Sequence, residues 1–516
     1  MANFLNKRLK ILLLVFLAAI LLLSFKTSYQ RIGAFGCFDQ CFNFVAAYFM
    51  LKGKILYSQI FFNHQPLMPF FSYLIQKLFS PQTIYHLVLY HRLFILFFSL
   101  FMNLLFIIRF KWIGFGFVLF YETTKYYLFG GFFLPEAMVA YFLAYNLGLC
   151  WEKTNSSLTP VDYLTASVFC WMVIFLTLPY LPVALVLYGL ILFPLKPEEK
   201  KGALVSSLIF LLLTFIILSR LPLKDYLFDL IVVNRPLIIG EAQRQGLSGL
   251  GIVKAFLYPF LILLKGEKTF FHSILIGLDI VFLSLSIKAL KNKNIKEVLI
   301  FWLVLGLAGI RLVTPGKMFY EAFHLLSWYS LFLTSIFILL DRQKGVFALS
   351  LILAFVFAYA FFSPQAFFWE KVNPQEEFTV NYAHPFAHGE VIKILSKPKD
   401  TLFLDMWDDL IYWQSGLDSP YRYSLYTPAM TQIEKFKAAR EEMFQKNPPD
   451  FYYSFYGASQ NCDPLFPQKL KPDYLQLYFS DKPTCLYLKK IKLPDITAEQ
   501  WQEVKKLGFY LPEAAN

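Results

Sequence analysis

The sequence predicts a mainly α-helical fold: a polytopic bundle of transmembrane helices followed by a small C-terminal α/β domain on the outer face of a membrane. Of 516 residues, 57% are hydrophobic, 19% aromatic and only 16% charged, which is too apolar for a soluble protein of this length. Apolar runs of membrane-spanning length recur from Ile11 to Phe362. Beyond that point polar and charged residues return abruptly. These observations exclude a disordered chain, a disulfide-rich secreted scaffold and an ordinary soluble enzyme.

The placement of charge argues against nucleic-acid binding. The chain has 48 basic and 35 acidic residues, a net charge of +13. From Gln365 onward there are 17 basic and 20 acidic residues, which leaves a surplus of 16 basic residues in the membrane part. A basic excess confined to short loops between spans is the positive-inside signal. We therefore expect membrane lipids as partners and no nucleic acid.

The first apolar run is predicted to be an uncleaved anchor. Three basic residues precede the run from Ile11 to Phe25, and no small-x-small cleavage site follows it, so the N-terminus is expected in the cytoplasm. Ten further runs give eleven predicted spans. They lie at about 84–108, 112–121, 132–151, 161–178, 180–195, 203–219, 270–288, 296–312, 319–340 and 346–362.

A further apolar stretch, at about 251–264, is interpreted as an interfacial or re-entrant helix because it is short and contains Pro259. Counting it as a span would move the basic loop from Lys288 to Lys296 outside, against the positive-inside bias. With eleven spans, residues 26–83, 220–250 and everything after Phe362 face outward. The inner loops then hold Arg109 and Lys111, Lys196 to Lys201, Lys288 to Lys296, and Arg342 and Lys344.

The chain is predicted to divide into a transmembrane module, residues 1–363, which includes the outer loop 26–83, and an extracytoplasmic α/β domain, residues 364–516. This is the organisation of a multi-pass protein of the cell membrane, plasma or inner. In the second domain, strand-like runs are Thr401–Leu404, Phe451–Phe455 and Cys485–Leu488, and helix-like runs are Thr431–Gln445 and Thr497–Lys506.

Four of the six cysteines fall on the predicted outer side. Of their three pairings, Cys462–Cys485 is the simplest because both residues lie in the tail domain; free buried thiols are the alternative. A metal pair at Cys37-x-x-x-Cys41 is not favoured, because no His lies at ligand spacing beside it. The remaining cysteines, Cys150 and Cys170, fall near or within the inner half of the membrane.

Asp39 is the most informative residue of the outer loop 26–83. It follows the first span among aromatic and nearly uncharged residues. A carboxylate at a poorly hydrated membrane surface suits a general base. The alternative is a helix N-cap, because Asp39 precedes a helix-like run, Cys41–Lys52.

The order of features in this loop resembles a known family. After the first span come Asp39, an amphipathic helix, Gly53-x-x-x-Tyr57 and His64-Gln65-Pro66-Leu67. This order is similar to the first outer loop of polyprenyl-phosphate-dependent glycosyltransferases of the GT-C fold, and more narrowly to the group holding protein O-mannosyltransferases and the lipid A aminoarabinose transferase. The resemblance implies a GT-C-like bundle in which Asp39 is the catalytic base and Tyr57, His64 and Gln65 bind substrate. Protein mannosyltransferases typically show Asp-Glu where this chain has Asp39-Gln40, which weakens the case for a protein acceptor.

A second match, Leu134-Pro135-Glu136-Ala137, places an acidic residue at the outer start of the fourth span. The family commonly has an acidic residue here, in the cavity of the loop aspartate, so the resemblance assigns Glu136 to the catalytic site. It also allows a divalent metal held by Asp39 and Glu136, since related oligosaccharyltransferases use one; no other cofactor is implied. A carboxylate at a membrane boundary is costly unless paired or used, and pairing with Lys125 or an outer arginine is the alternative.

A third match runs from Arg311 to His324 and includes Lys317 and Tyr320. A lipid phosphate at the interface needs cations and hydroxyl donors, and this predicted outer loop supplies both. The family has a similar stretch where the carrier phosphate is proposed to bind, so the resemblance assigns these four residues to the donor phosphate. Arg92, in the outer half of the second span, is a further candidate. Snorkelling to outer headgroups is the alternative.

With the resemblance, the sequence predicts a membrane glycosyltransferase that moves a sugar, mannose-like or another, from a polyprenyl-phosphate carrier to a protein, lipid or glycan acceptor on the outer face. Two other classes remain open: a lipid-linked glycan transporter or flippase, and a non-catalytic envelope protein. Transporters usually carry internal repeats and spans broken at the midplane. Here the polar residues concentrate at the predicted outer boundary instead.

Overall fold

The computed structural model describes residues 15, 18–19, 21–30, 32–33, 36–37, 39–235, 250–264, 270–310, 318–342, 373–405, 409–454 and 466–512. Most of these residues are helical, so the predicted mainly α fold is confirmed. The helices are α1 (residues 21–30), α2 (Asp39–Leu51), α3 (Leu67–Phe79), α4 (Ile84–Thr124), α5 (Pro135–Asn155), α6 (Pro160–Leu176), α7 (Leu181–Leu192), α8 (Lys200–Ser219), α9 (Leu223–Leu227), α10 (Leu250–Phe256), α11 (Tyr258–Leu264), α12 (Phe270–Lys291), α13 (Ile295–Gly309), α14 (Met318–Arg342), α15 (Pro374–Leu395), α16 (Leu410–Ser415), α17 (Glu434–Lys446) and α18 (Ala498–Lys506). The strands are β1 (Leu402–Asp405), β2 (Phe451–Ser454), β3 (Tyr474–Phe479), β4 (Lys482–Lys489) and β5 (Phe509–Tyr510).

Four helices of the described chain are long and apolar enough to cross a membrane, not the eleven predicted: Ile84–Leu128, Pro197–Ser219, Phe271–Lys291 and Phe323–Arg342. Three predicted spans correspond to the shorter helices α6, α7 and α13, which have 17, 12 and 15 residues. Another corresponds to α5, which has 21 residues and a more polar sequence. The first predicted span lies partly, and the last wholly, outside the described residues.

The longest helix, α4, is a hairpin. Its backbone leaves the helical region at Lys111, where φ is 51° and ψ is −112°. The rings of Phe106 and Phe117 stack with centroids 4.5 Å apart, although a straight helix would separate these residues by about 16 Å. The reversal brings Gly114 so close to the first limb that a Cβ there would lie 2.1 Å from the Phe106 carbonyl oxygen. Two predicted spans, 84–108 and 112–121, are therefore the two limbs of one hairpin.

Loops that are predicted to lie inside meet at one end of the bundle. At the α4 reversal, Arg109 pairs with Asp162 at the start of α6, with 2.8 Å between Nε and Oδ1. Arg342, at the end of α14, pairs with Glu297 at the start of α13 at 2.9 Å and lies over the ring of Trp151 near the end of α5. The ends of five helices thus share one side, as the predicted alternation of spans requires.

The side of the bundle formed by α8 exposes a band of large apolar side chains. Little of the apolar part of α8 is buried by the rest of the protein. Leu204, Leu208, Leu211 and Phe215 are all exposed. Soluble monomers rarely expose contiguous apolar surface of this kind. The band is therefore compatible with contact to lipid.

The strands and helices predicted in the tail are present. Five strands form one sheet in the order β1-β2-β4-β3-β5, with β1 parallel to β2 and the other pairs antiparallel. The predicted strands correspond to β1, β2 and β4, and the predicted helices to α17 and α18. Strand β3 was not predicted because its buried and exposed positions do not alternate regularly.

The tail packs against the outer loop 26–83. Lys54 of that loop pairs with Asp418 of the tail at 2.5 Å. The Tyr48 hydroxyl donates to the Leu417 carbonyl at 2.8 Å, and the Phe61 N–H donates to a tail carbonyl at the same distance. Two segments that are both predicted to lie outside are therefore in direct contact.

The cysteines of the outer loop are bonded to each other, because Cys37 and Cys41 form a disulfide. Cys485 is also disulfide-bonded, whereas its predicted partner Cys462 lies outside the described residues. Cys150 and Cys170 are free and buried. The alternative of free outer thiols is thus wrong for Cys37, Cys41 and Cys485.

Candidate functional site

Gln40 connects three of the segments that the sequence singled out. It is buried in the first turn of α2. Its side-chain oxygen accepts a hydrogen bond from Nε of Arg92 on α4 at 3.3 Å and another from the Phe133 N–H at 2.9 Å. Because Phe133 lies just before Glu136 in sequence, this amide holds the loop that carries Asp39 beside the start of α5.

Asp39 is the first residue of α2, and its side chain is exposed. Within the described chain no backbone N–H of α2 donates to the Asp39 carboxylate, whereas the backbone oxygen of Asp39 accepts a hydrogen bond from the Asn43 side-chain amide at 3.0 Å. The cap interpretation therefore lacks the hydrogen bond that defines a cap. The Cys37–Cys41 disulfide fixes the turn on which Asp39 lies.

Glu136 and His324 come from two separately predicted segments and meet in the structure. Glu136 lies in the first turn of α5, directly after Pro135 at the start of the helix, and is 2% exposed. Its Oε1 lies 3.3 Å from Nδ1 of His324 on α14. The Tyr180 hydroxyl donates to the His324 carbonyl at 3.0 Å. A carboxylate that accepts the Nδ1–H of an imidazole fixes the tautomer and orientation of the ring.

Arg92 is buried and organises the backbone around the site. Its guanidinium donates to the carbonyls of Ile32 at 2.6 Å and Gly36 at 3.2 Å, and to the Tyr382 hydroxyl of α15 at 3.2 Å. The guanidinium also lies over the ring of Phe132, 4.1 Å from its centroid. These contacts tie the outer loop, the α4 hairpin and the tail together.

The predicted substrate-binding residues form a second group, beside the first group of Asp39, Arg92, Glu136 and His324. The Tyr57 hydroxyl donates to the His64 carbonyl at 2.9 Å, and Tyr57 adopts a left-handed backbone with φ of 70°. The Gln65 side-chain oxygen accepts from the Tyr226 hydroxyl at 2.9 Å. Phe42 of α2 joins the two groups, because its ring lies 5.8 Å from that of His64.

Asp229 belongs to this second group and was not singled out from the sequence. It lies in a π-helical turn, Phe228–Val233, and is 1% exposed. Its Oδ2 accepts from the Phe62 N–H at 3.4 Å, while Oδ1 has no hydrogen-bond partner among the described residues. Burial raises the pKa of the Asp229 carboxyl to about 7, Asp225 also raises it, and the Phe62 hydrogen bond and Lys435 act in the opposite direction. The sequence signal was a lone carboxylate in the apolar run Leu227 to Val233.

A buried ion pair near the second limb of α4 was also missed. Lys125 and Glu122 lie 2.8 Å apart and are 1% and 2% exposed. The Tyr141 hydroxyl donates to Glu122, and Lys125 donates to the Tyr141 oxygen at 3.1 Å. Lys125 therefore pairs with Glu122, not with Glu136 as one interpretation of the sequence held.

Only part of the predicted donor site lies within the described residues. Arg311 and Lys317 lie outside the described residues, and Tyr320 belongs to α14 without a described side chain. Among the residues that are described, no group of three or more His, Cys, Asp or Glu side chains could hold a metal ion. The pair of Glu136 and His324 does not complete the ligand set of a zinc or magnesium site. The metal allowed by the resemblance thus does not fit the described donors.

Comparison of the chain with protein-family models, with curated proteins and with solved structures found no match. The resemblance to polyprenyl-phosphate-dependent glycosyltransferases therefore rests on the sequence motifs alone. What the site does has to be inferred from its own chemistry.

Proposed function

We propose that this chain is an integral-membrane glycosyltransferase. It moves a sugar from a polyprenyl-phosphate carrier to an acceptor on the outer face of the cell membrane. Residues 1–363 form its catalytic module, and residues 364–516 form an outer domain. The acceptor is a protein, a lipid or a glycan, and the sugar is mannose-like or another.

The observation that carries the proposal is the convergence of separately predicted segments. Gln40 hydrogen-bonds the Phe133 backbone, which brings the Asp39 loop to the start of α5. Glu136 at that start contacts His324 of the third predicted segment. An enzyme needs its base and its phosphate-binding groups in one place, whereas headgroup snorkelling does not require such groups to meet. The convergence therefore favours a site over three independent surface features.

The proposed chemistry is a single displacement. The Asp39 carboxylate takes the proton of the acceptor hydroxyl, and that oxygen attacks the anomeric carbon on the face opposite the phosphate. The bond from the anomeric carbon to the phosphate oxygen breaks, and polyprenyl phosphate leaves with the electron pair. Because no covalent intermediate forms, the configuration at the anomeric carbon is inverted.

Stabilisation of the leaving phosphate falls to Arg311, Lys317, Tyr320 and His324. Polyprenyl phosphate is a good leaving group, so hydrogen bonds and positive charge at its oxygens replace a general acid. Glu136 acts here as a positioning residue, because it contacts the His324 ring, which would bind phosphate. Tyr57, His64 and Gln65 are proposed to contact the substrate from the second group.

We also propose the eleven-span topology, with the N-terminus inside and the tail outside. The contacts of Arg109 and Arg342 support this topology. They hold together, at one side of the bundle, the ends of helices that are too short or too polar to be identified as spans from length and apolarity. The contact between the tail and the outer loop supports it from the other side. Both sets of contacts agree with the positive-inside distribution.

The proposal is tested by release of labelled sugar from a panel of polyprenyl-phosphate sugars. Membranes carrying the wild-type protein are compared with membranes carrying Asp39→Asn, at matched expression. Glu434→Gln is the control, since Glu434 is a carboxylate in the tail with an 88% exposed side chain. We expect one donor to be consumed by the wild type and the control and not by Asp39→Asn.

Equal behaviour of all three proteins on every donor would remove the proposed base. A lipid-linked glycan transporter or a non-catalytic envelope protein would then be the better account. A transporter would move a labelled lipid-linked glycan across the bilayer without consuming it.

A further inference from the structure

The segment from Leu223 to Val233 packs on Tyr57 and Gln65, two of the three predicted substrate-binding residues, whereas the third, His64, is exposed. Tyr226 donates to Gln65, and its ring meets that of Tyr57 edge-on with centroids 5.0 Å apart. Just beyond the segment, Asn234 donates to the Asn63 carbonyl at 2.7 Å. These contacts, together with the hydrogen bond from the Phe62 N–H to Asp229, hold the segment against residues 57–65.

Asp229 makes the weakest of these contacts. The other contacts join neutral groups, whereas Asp229 is a buried carboxyl group. One of its oxygens accepts a long 3.4 Å hydrogen bond, and the other has no partner in the part of the chain that the structure describes. A protonated carboxyl group can lie there at modest cost, but a buried carboxylate with so little compensation is expensive. The π-helical turn that carries it is a rare conformation that often marks functional sites.

We propose that the segment Leu223–Val233 is a proton-dependent clamp, closed over Tyr57 and Gln65 while Asp229 is protonated and loosened when Asp229 ionises. Closure itself follows from the contacts of the segment, whereas an effect on sugar transfer rests on the proposed function. Under that function, the clamp orders the substrate-binding residues and transfer declines in alkaline solution.

The charged and titratable groups around Asp229 come from three elements. Asp225 lies on the same segment and disfavours its ionisation, while Lys435 of α17 favours it. Lys435 is held 3.3 Å from Asp225, so its charge is shared between the two carboxylates. Tyr57 lies on the covered side, and burial raises the pKa of Tyr57 well above its usual value, so it stays neutral. None of these groups supplies a dedicated counter-ion to Asp229.

The pH dependence has a definite sign. In the closed state the pKa of Asp229 is about 7, and in an open, hydrated state it returns towards 3.8. The closed state therefore binds more protons, and the opening constant rises about tenfold for each pH unit between about 4 and 7 and levels off above that. Between pH 5 and pH 8 the total rise is about a hundredfold.

The test is amide hydrogen exchange of the full-length protein in lipid nanodiscs, read by mass spectrometry in peptides that cover residues 57–65 and 223–233. After correction for intrinsic exchange, we expect protection of the wild type to fall by about a hundredfold between pH 5 and pH 8. Asp229→Asn, which imitates the protonated side chain, should stay protected at every pH. Asp225→Asn keeps the Asp229 carboxyl group and should still lose protection as the pH rises, with the loss displaced to lower pH because Asp225 disfavours the ionisation of Asp229.

A wild-type protein whose protection does not change with pH would overturn the clamp, and so would equal pH dependence in wild type and Asp229→Asn. Because exchange needs no turnover, this result is separate from the glycosyltransferase proposal. If closure follows pH as expected while no donor is consumed, the clamp stands and the proposed function fails.

Discussion

At the scale of single residues, the site is organised by a buried cation. Arg92 donates to two backbone carbonyls, to the Gln40 amide oxygen and to the Tyr382 hydroxyl. Its planar guanidinium can serve several acceptors in different directions, which the single ammonium group of a lysine cannot do in the same geometry. The Gln40 side-chain oxygen is an uncharged acceptor for the Arg92 guanidinium, and it also accepts a hydrogen bond from the Phe133 N–H.

Replacing Arg92 should therefore destabilise the outer end of the bundle. In Arg92→Met the carbonyls of Ile32 and Gly36 lose their donor, and we expect a loss of about 3 kcal/mol, since each buried acceptor left without a partner costs about 1–3 kcal/mol. Arg92→Lys should recover only part of it. Thermal unfolding in detergent measures the effect, with Arg220→Met, an exposed arginine, as the control. Equal melting temperatures for both Met variants would refute this role.

Residue type allowed the prediction of some site members and not of others. Asp39, Glu136 and His324 are titratable residues at a predicted membrane boundary, and they were selected by residue type, by position and by the resemblance to the glycosyltransferase motifs. Gln40 is neutral, and its importance lies in which backbone groups it bonds. Asp229 depends on how deeply its turn is buried against the outer loop, which a single sequence does not specify.

At the scale of elements, the α4 hairpin shows what an apolar pattern can define. The basic residues Arg109 and Lys111 interrupt the apolar run and predicted the place of the reversal, which the structure has at Lys111. The tightness of the turn was not predictable, because it depends on direct contact between the backbone at Phe106 and Gly114. In the tail, strands with compact apolar runs were predicted, and the irregular β3 and the two-residue β5 were not.

Gly114→Ala should disrupt this hairpin. The new Cβ would lie 2.1 Å from the Phe106 carbonyl oxygen, closer than any non-bonded contact allows, and overpacking of this kind costs on the order of 1–3 kcal/mol. Gly189→Ala on α7 is the matched control, because a Cβ there meets nothing within 4 Å. The yield and melting temperature of the detergent-purified monomer should fall for Gly114→Ala only. If both variants purify and melt like the wild type, the close approach is not present.

At the scale of the whole molecule, the proposed orientation follows from the distribution of charged residues among the loops. The contacts of Arg109 and Arg342 bring the predicted inner loops to one end, and the tail docks on the outer loop 26–83. The sequence predicts that these loops lie on one side of the membrane because the positive-inside bias acts on loop composition. The sequence predicted eleven spans, whereas four helices of the described residues are long and apolar enough to cross a membrane, because apolar runs such as that of α7 form helices of only 12 residues.

The topology predicts opposite labelling of two engineered cysteines. With Cys150 and Cys170 replaced by alanine, a cysteine introduced by Lys293→Cys should react with a membrane-impermeant maleimide only after the membrane is opened. A cysteine introduced by Asp481→Cys in the tail should react in intact cells. Both parent positions are exposed in the structure. Labelling of both from the same side would contradict the proposed arrangement of spans.

The central claim of enzymatic sugar transfer is tested most directly by turnover of purified protein with a polyprenyl-phosphate sugar. For Asp39→Asn we expect kcat to fall by roughly 10²–10⁴-fold, as loss of a general base does, with donor affinity close to that of the wild type. That split would assign Asp39 to the chemical step. Unchanged turnover in Asp39→Asn, with the protein folded and the donor bound, would contradict the account.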